Sequence, residues 1–212
     1  MFHFAHWPPL GLILLLASLP QAAHAAVVNN LGGSVLIAQL LPDDTLGAEN
    51  SLITPLDGQT DRIDGGALRG SRLFHSFEAF NIETGRGTYF ASPATIETIF
   101  MRVTGNGGSE IDGILGVLGD ANLFLINPNG VSFGPAAQLD MGGSLSVSTA
   151  DRFVLSDGTE FSATNPTTLP LLSLSVAPGL QYGAGDINNA GDIAVDTGQS
   201  LRLFGNTVTH AG

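Results

Sequence analysis

The chain has 212 residues, 43% of them hydrophobic and 12% charged, with a mean hydropathy of +0.26. That balance is the reverse of a disordered chain's, and the length allows one domain with a real core. Nineteen acidic residues face seven arginines and no lysine, for a net charge of −12; without a basic cluster, nucleic acid is excluded as a partner.

The first 25 residues form a targeting segment. Leu10 to Leu19 is apolar, Pro20 breaks the run, and Ala23-His24-Ala25 places small residues before Ala26. The run is too short to span a bilayer, so it predicts a Sec signal cut by signal peptidase between Ala25 and Ala26, with an uncleaved anchor as the alternative. The stretch before it, Met1 to Pro9, is off-pattern, carrying His3 and His6 but no Lys or Arg. There is no Cys. A disulfide would close a loop that cannot be threaded through a pore, although many exported bacterial proteins simply lack Cys.

Beyond Ala26, Val35-Leu36-Ile37-Ala38 reads as a strand, followed by turn chemistry at Pro42-Asp43-Asp44 and Asn50-Ser51. Ser71 to Phe80 is the one segment with a helix-like spacing, through Leu73, Phe74, Phe77 and Phe80. Elsewhere apolar residues alternate over short runs. Examples are Asn122 to Ile126, Gly130 to Gly134, Ser144 to Ser148 and Gly191 to Val195. Gly, Asn, Asp or Pro interrupts each run, which is the signature of short strands with one buried face. The chain is therefore all-β. A weak unit, Gly-x-[Leu/Ile]-x-Val, recurs at Gly143 and Gly191 with short turns between strands. This favours a right-handed parallel β-helix over a β-sandwich, with residues 27–60 as an N-terminal cap over its open edge. The segment Gly205 to Gly212 stops within a repeat, as in the front part of a longer solenoid or a truncated frame.

Candidate sites are few. Asn127-Pro128-Asn129-Gly130 is a turn by its chemistry: Pro128 presets φ, and Asn129 and Gly130 accept the strained positions. The carboxylate pairs Asp43-Asp44 and Asp61 with Asp64 are the nearest to a glycosidase arrangement, but they sit in turns without accompanying catalytic cations. Gly105 to Gly113 is one copy of a calcium-like nonapeptide, too few for a shared-ligand site. His75 and His210 lack partners at zinc-ligand spacing. No metal, cofactor or catalytic residue is predicted. Arg62, Arg69, Arg72 and Arg86 form a loose positive region, to be met by local carboxylates or by an acidic partner.

The run Asn122-Leu-Phe-Leu-Ile-Asn-Pro-Asn-Gly-Val-Ser-Phe-Gly134 is followed by Gly143-Ser-Leu-Ser-Val-Ser-Thr-Ala150. With Phe74 to Ile82, Arg102-Val103-Thr104-Gly105 and Ser109 to Gly113, these motifs resemble the secretion (haemagglutination-activity) domain of two-partner-secretion proteins of the filamentous haemagglutinin kind. The likeness is strongest to the branch common in cyanobacteria. It spans about residues 30–165. An upstream Asn-Pro motif of that family is reduced here to Ala91-Ser92-Pro93-Ala94, and its role is not carried over. The resemblance implies a non-enzymatic domain exported by the Sec machinery. It also implies recognition, at or through Asn127, Pro128, Asn129 and Gly130, by an outer-membrane barrel transporter with periplasmic binding modules. The product then folds at the surface of a Gram-negative bacterium, where a passenger meets a host or cell-surface ligand. On this reading residues 1–25 are the signal, 26–165 the secretion domain and 166–212 the first coils of a passenger. The rival is a β-helical polysaccharide-active enzyme or carbohydrate-binding module.

Overall fold

The computed structural model describes residues 39–155, 158–166, 179–180 and 184–211; the signal segment, with Ala23, Ala25 and Ala26, and the predicted strand Val35–Ala38 lie outside them. The described chain opens with β1 (Leu40–Pro42), a 3-10 turn (Gly47–Glu49), the hairpin β2 (Ser51–Pro55) and β3 (Thr60–Gly65), and β4 (Ala67–Arg69). Repeating coils follow. The first holds β5 (Arg72–Phe80) and β6 (Gly87–Ala91); the second β7 (Thr98–Val103), β8 (Ser109–Ile111) and β9 (Ile114–Leu118). The third holds β10 (Asn122–Ile126), β11 (Val131–Phe133) and β12 (Gln138–Asp140). A fourth starts at β13 (Leu145–Ser148), is interrupted by β14 (Arg152–Val154), β15 (Glu160–Ser162) and β16 (Gly179–Leu180), and resumes at β17 (Ile187–Asn189). The last contributes β18 (Leu201–Phe204) and β19 (Val208–His210).

Successive coils pair in parallel and in register on three faces. One face runs β5-β7-β10-β13-β18, the second β8-β11-β17-β19, and the third β3-β6-β9-β12. This is the parallel β-helix that the alternation and short turns predict. A sandwich would show hairpin-linked antiparallel layers, and here antiparallel pairing is confined to the N-terminal end and to the insertion in the fourth coil. At the N-terminal end β1 and β4 lie antiparallel against β5, and β2 against β3. They cover strand edges that would otherwise template another chain.

Register turns alternation into columns. Leu73, Ile99, Leu123, Leu145 and Leu201 stack across the first face, and His75, Met101, Leu125, Val147 and Leu203 form the next inward column. The apolar members of the inner rungs are fully or nearly fully buried, and each stabilises the fold by about 1.5–3 kcal/mol.

Ser71 to Phe80 is not helical. Ser71 ends a turn and Arg72–Phe80 is the nine-residue strand β5, in which a register shift opposite β1 leaves Glu78 without a partner on that strand, since Leu41 faces Ala79 and Pro42 faces Phe77. A bulge of this kind reverses the alternation, so Phe77 and Phe80 both reach the main core at helix-like spacing.

The outward side of the same face is also dry. Phe74, Phe100 and Phe124 form a ladder at 5.1 and 5.2 Å between rings. The insertion lays Phe153 and Phe161 edge-on against Phe100 and Phe74, closing a second core with Leu46, Ala67 and Ile126.

Candidate functional site

Asn127-Pro128-Asn129-Gly130 forms the corner between the first and second faces of the third coil. Extended β10 ends at Ile126, and Pro128 and Asn129 occupy the turn. Asn127 is completely buried. Its Nδ2 donates to the Gly107 carbonyl and to Ser109 Oγ, both at 3.0 Å, and its Oδ1 accepts the Asn129 N–H at 3.0 Å. The Gly130 N–H closes the turn on the Asn127 carbonyl at 3.1 Å. Asn129, by contrast, is exposed and reaches back to the Gly105 carbonyl at 2.9 Å.

Neighbouring corners hold this one from both sides. The Ser109 N–H donates to the Gly130 carbonyl, and the Val131 N–H donates to the Asp186 carbonyl of the following coil. Gly130 has φ +109°, and a Cβ there would lie 2.9 Å from the Asp186 carbonyl oxygen. A Cβ on Gly185 would lie 2.5 Å from the Pro128 carbonyl oxygen and 2.6 Å from the Gly130 nitrogen. The three stacked corners therefore approach closely through glycine. Asn81 and Asn189 are used alike, accepting the N–H groups of Glu110 and Gly191.

A second polar cluster, invisible in the sequence, joins the cap, the first face and the insertion. Arg102 is fully buried on the outward side of β7. Its Nε donates to Ser76 Oγ at 2.8 Å, one terminal nitrogen to Thr45 Oγ1 at 2.7 Å and the other to the Ser162 carbonyl at 2.9 Å. Ser76 and Thr45 pass the interaction on, donating to Asp43 at 2.8 and 2.5 Å, and Thr104 donates to the same carboxylate. Burial pushes the Arg102 pKa down to about 10 and Asp43 opposes it, so the guanidinium stays charged at neutral pH. Burial raises the Asp43 pKa, but the hydroxyls of Thr104, Thr45 and Ser76 outweigh it and hold the carboxyl below its ordinary value.

The remaining candidates are occupied structurally. Asp44 accepts from Asn50; Asp61 pairs with Arg86 at 2.5 Å and Asp64 with Arg62 at 2.9 Å, so neither carboxylate pair is free for acid–base work. Arg69 forks onto Glu49 at 2.8 and 2.9 Å, so three of the four arginines in the positive region meet local carboxylates. Within the nonapeptide-like stretch, Ser109–Ile111 is strand β8, and Asp112 caps the next coil by accepting the Ala136 N–H and the Thr84 hydroxyl. Among the described residues no group of three or more His, Asp or Glu is placed to hold a metal. His75 is wholly buried at the head of its core column. Ser51 Oγ lies 3.0 Å from its Nδ1, Nε2 has no hydrogen-bond partner, and Phe90 packs 5.2 Å away. Burial pushes its pKa down to about 3, against a small opposing pull from Asp64, so the ring is neutral.

The chain is a capped parallel β-helix of the solenoid class, with buried asparagines at its corners. The family model of the TPS secretion domain matches residues 38–212, and the chain belongs to that family. Membership places it in two-partner secretion, and the family is not one of enzymes. Among solved structures it is similar to the filamentous haemagglutinin secretion domain, with a TM-score of 0.57 and 16% identity over 81% of this chain. The chain spans 56% of that structure's length, and the likeness establishes the fold. No curated protein matches the chain.

Proposed function

We propose that this chain directs a larger exported protein to an outer-membrane barrel transporter with periplasmic binding modules, and then serves as the folding template for the coils that follow. On this reading residues 1–25 are a Sec signal cut before Ala26, the chain crosses the periplasm unfolded, and folding begins outside the cell. The observation that carries it is the in-register stack: each coil is hydrogen-bonded chiefly to its neighbours, so a chain emerging from one end can fold as it emerges. The cap covers edges at the N-terminal end, which emerges first in that order and fixes the direction of growth.

Asn127, Pro128, Asn129 and Gly130 act in this scheme by ordering the corner between coils. Buried Asn127 supplies most of the ordering, and exposed Asn129 adds to it by reaching back to the Gly105 carbonyl. The test is co-expression in a Gram-negative host with and without a cognate barrel transporter. The chain should reach the medium or cell surface only with the transporter and remain periplasmic without it. Equal appearance in both strains would refute the proposal.

A further inference from the structure

The sequence contains two Asn-Gly pairs, Asn106-Gly107 and Asn129-Gly130. They occupy consecutive, stacked corners, yet the fold treats them oppositely. Asn-Gly is the dipeptide most open to self-modification, because glycine puts no Cβ in the way of its own nitrogen as it approaches the preceding side chain. In that reaction the Gly N attacks the Asn Cγ. The N–Cγ bond forms, the Cγ–Nδ2 bond breaks, and the side-chain nitrogen leaves as ammonia. Water then opens the cyclic imide at one carbonyl or the other, giving aspartate or isoaspartate.

We propose that Asn106 is a site of spontaneous deamidation and isomerisation, and that Asn129 is shielded from the same chemistry by the corner that holds it. Asn106 and Gly107 are exposed in a bend, and a Cβ on Gly107 would touch nothing within 4 Å. Neither the Asn106 side chain nor the Gly107 N–H makes a hydrogen bond among the described residues. Nucleophile and electrophile are both free to meet. At the second pair the Gly130 N–H is committed to the Asn127 carbonyl at 3.1 Å, and Asn129 Nδ2 to the Gly105 carbonyl at 2.9 Å. Gly130 is also buried against Asp186, so the rotation that would aim its nitrogen at Asn129 Cγ is blocked. Asn127 is immune for a separate reason: Pro128 follows it and has no N–H to attack with.

The modification would be felt at the neighbouring corner. Isoaspartate inserts a methylene into the main chain between residue 106 and Gly107, and the Gly107 carbonyl is one of the two acceptors holding buried Asn127. Ageing at Asn106 therefore loosens the corner that the export scheme relies on, although the chemistry stands whether or not that scheme does.

The test is peptide mapping by mass spectrometry of the full chain held at mildly alkaline pH, with fragmentation that separates aspartate from isoaspartate. A parallel sample sits in denaturing urea. In the folded protein Asn106 should convert faster than Asn129 by on the order of tenfold or more, because reaction at Asn129 requires local opening. In urea the two rates should converge. Gly107→Ala, which the open space tolerates, should slow conversion at Asn106 without altering the fold by circular dichroism. Comparable rates at the two sites in the folded chain, or an intact Asn106 over a period that converts it in urea, would overturn the proposal.

Discussion

The guanidinium of Arg102 lies 4.3 Å from the centre of the Phe161 ring while one of its nitrogens donates to the Ser162 carbonyl, although some sixty residues separate the partners. One buried cation thus fastens the insertion of the fourth coil onto the second coil and, through Thr45 and Asp43, onto the cap. Removing one member of such a cluster strands the other. Arg102→Met should lower unfolding stability by about 3–5 kcal/mol, read as a lower urea midpoint. Arg102→Lys should recover only part of this, since a single ammonium cannot reach Ser76, Thr45 and Ser162 in the same fork geometry. A midpoint unchanged by Arg102→Met would show that the cluster contributes little.

His75 makes stability depend on pH. Its folded pKa is about 3 against 6.5 for the free side chain, so on acidification the unfolded chain takes up the proton first. The contribution is whole above the unfolded value and falls by about 1.4 kcal/mol per pH unit between the two values. His75→Leu matches the Met101, Leu125, Val147 and Leu203 column beneath it. The difference between wild type and variant should therefore shift in favour of the variant by roughly 2 kcal/mol between neutral pH and about pH 5. Parallel stability curves for the two proteins over that range would contradict the assignment. Asp43 acts lower down: its depressed pKa adds stability that is present above its ordinary value and is lost as pH falls through the folded one.

The corner stack predicts an effect of a single methyl group. Gly185→Ala would drive a Cβ into the Pro128 carbonyl and the Gly130 nitrogen, backbone atoms that cannot swing aside. Destabilisation of about 1–3 kcal/mol should follow. The neutral control is Gly198→Asn, at an exposed turn with φ +91° and open space, where Asn tolerates the left-handed backbone. Thermal melts of the two variants check the contrast.

What could be read in advance follows from where each signal resides. Alternation in Asn122–Ile126 and Leu145–Ser148, punctuated by Gly and Asn, is local, and so the β-helix and its turn at Asn127 were legible. The bulge at Glu78 was not, because a single extra residue imitates a helical spacing and only the pairing partner reveals it. Nor was the insertion. Phe74, Phe100 and Phe124 sit on the face that alternation assigns to solvent, and what covers them, Phe153 and Phe161, lies far along the chain. Arg102 likewise gives no local sign of its partners, which are brought together from residues 43, 45, 76 and 162 only by the fold. Asp61 and Asp64 read as turn residues but lie in strand β3, and of their ion pairs only Arg62 with Asp64 is local, whereas Arg86 reaches Asp61 from 25 residues away through the stacking of the coils.

The most direct measurement compares transporter-dependent export of Asn127→Ala and Asn129→Ala, with urea stability measured on each purified chain. Asn127→Ala removes a buried amide that bridges two coils and leaves the Gly107 carbonyl and Ser109 hydroxyl short of a partner, at a cost of about 1–3 kcal/mol. If the corner works by ordering the stack, export and stability fall together in Asn127→Ala, while Asn129→Ala keeps most of both. Export abolished by Asn129→Ala at full stability, with Asn127→Ala secreted normally, would contradict the account.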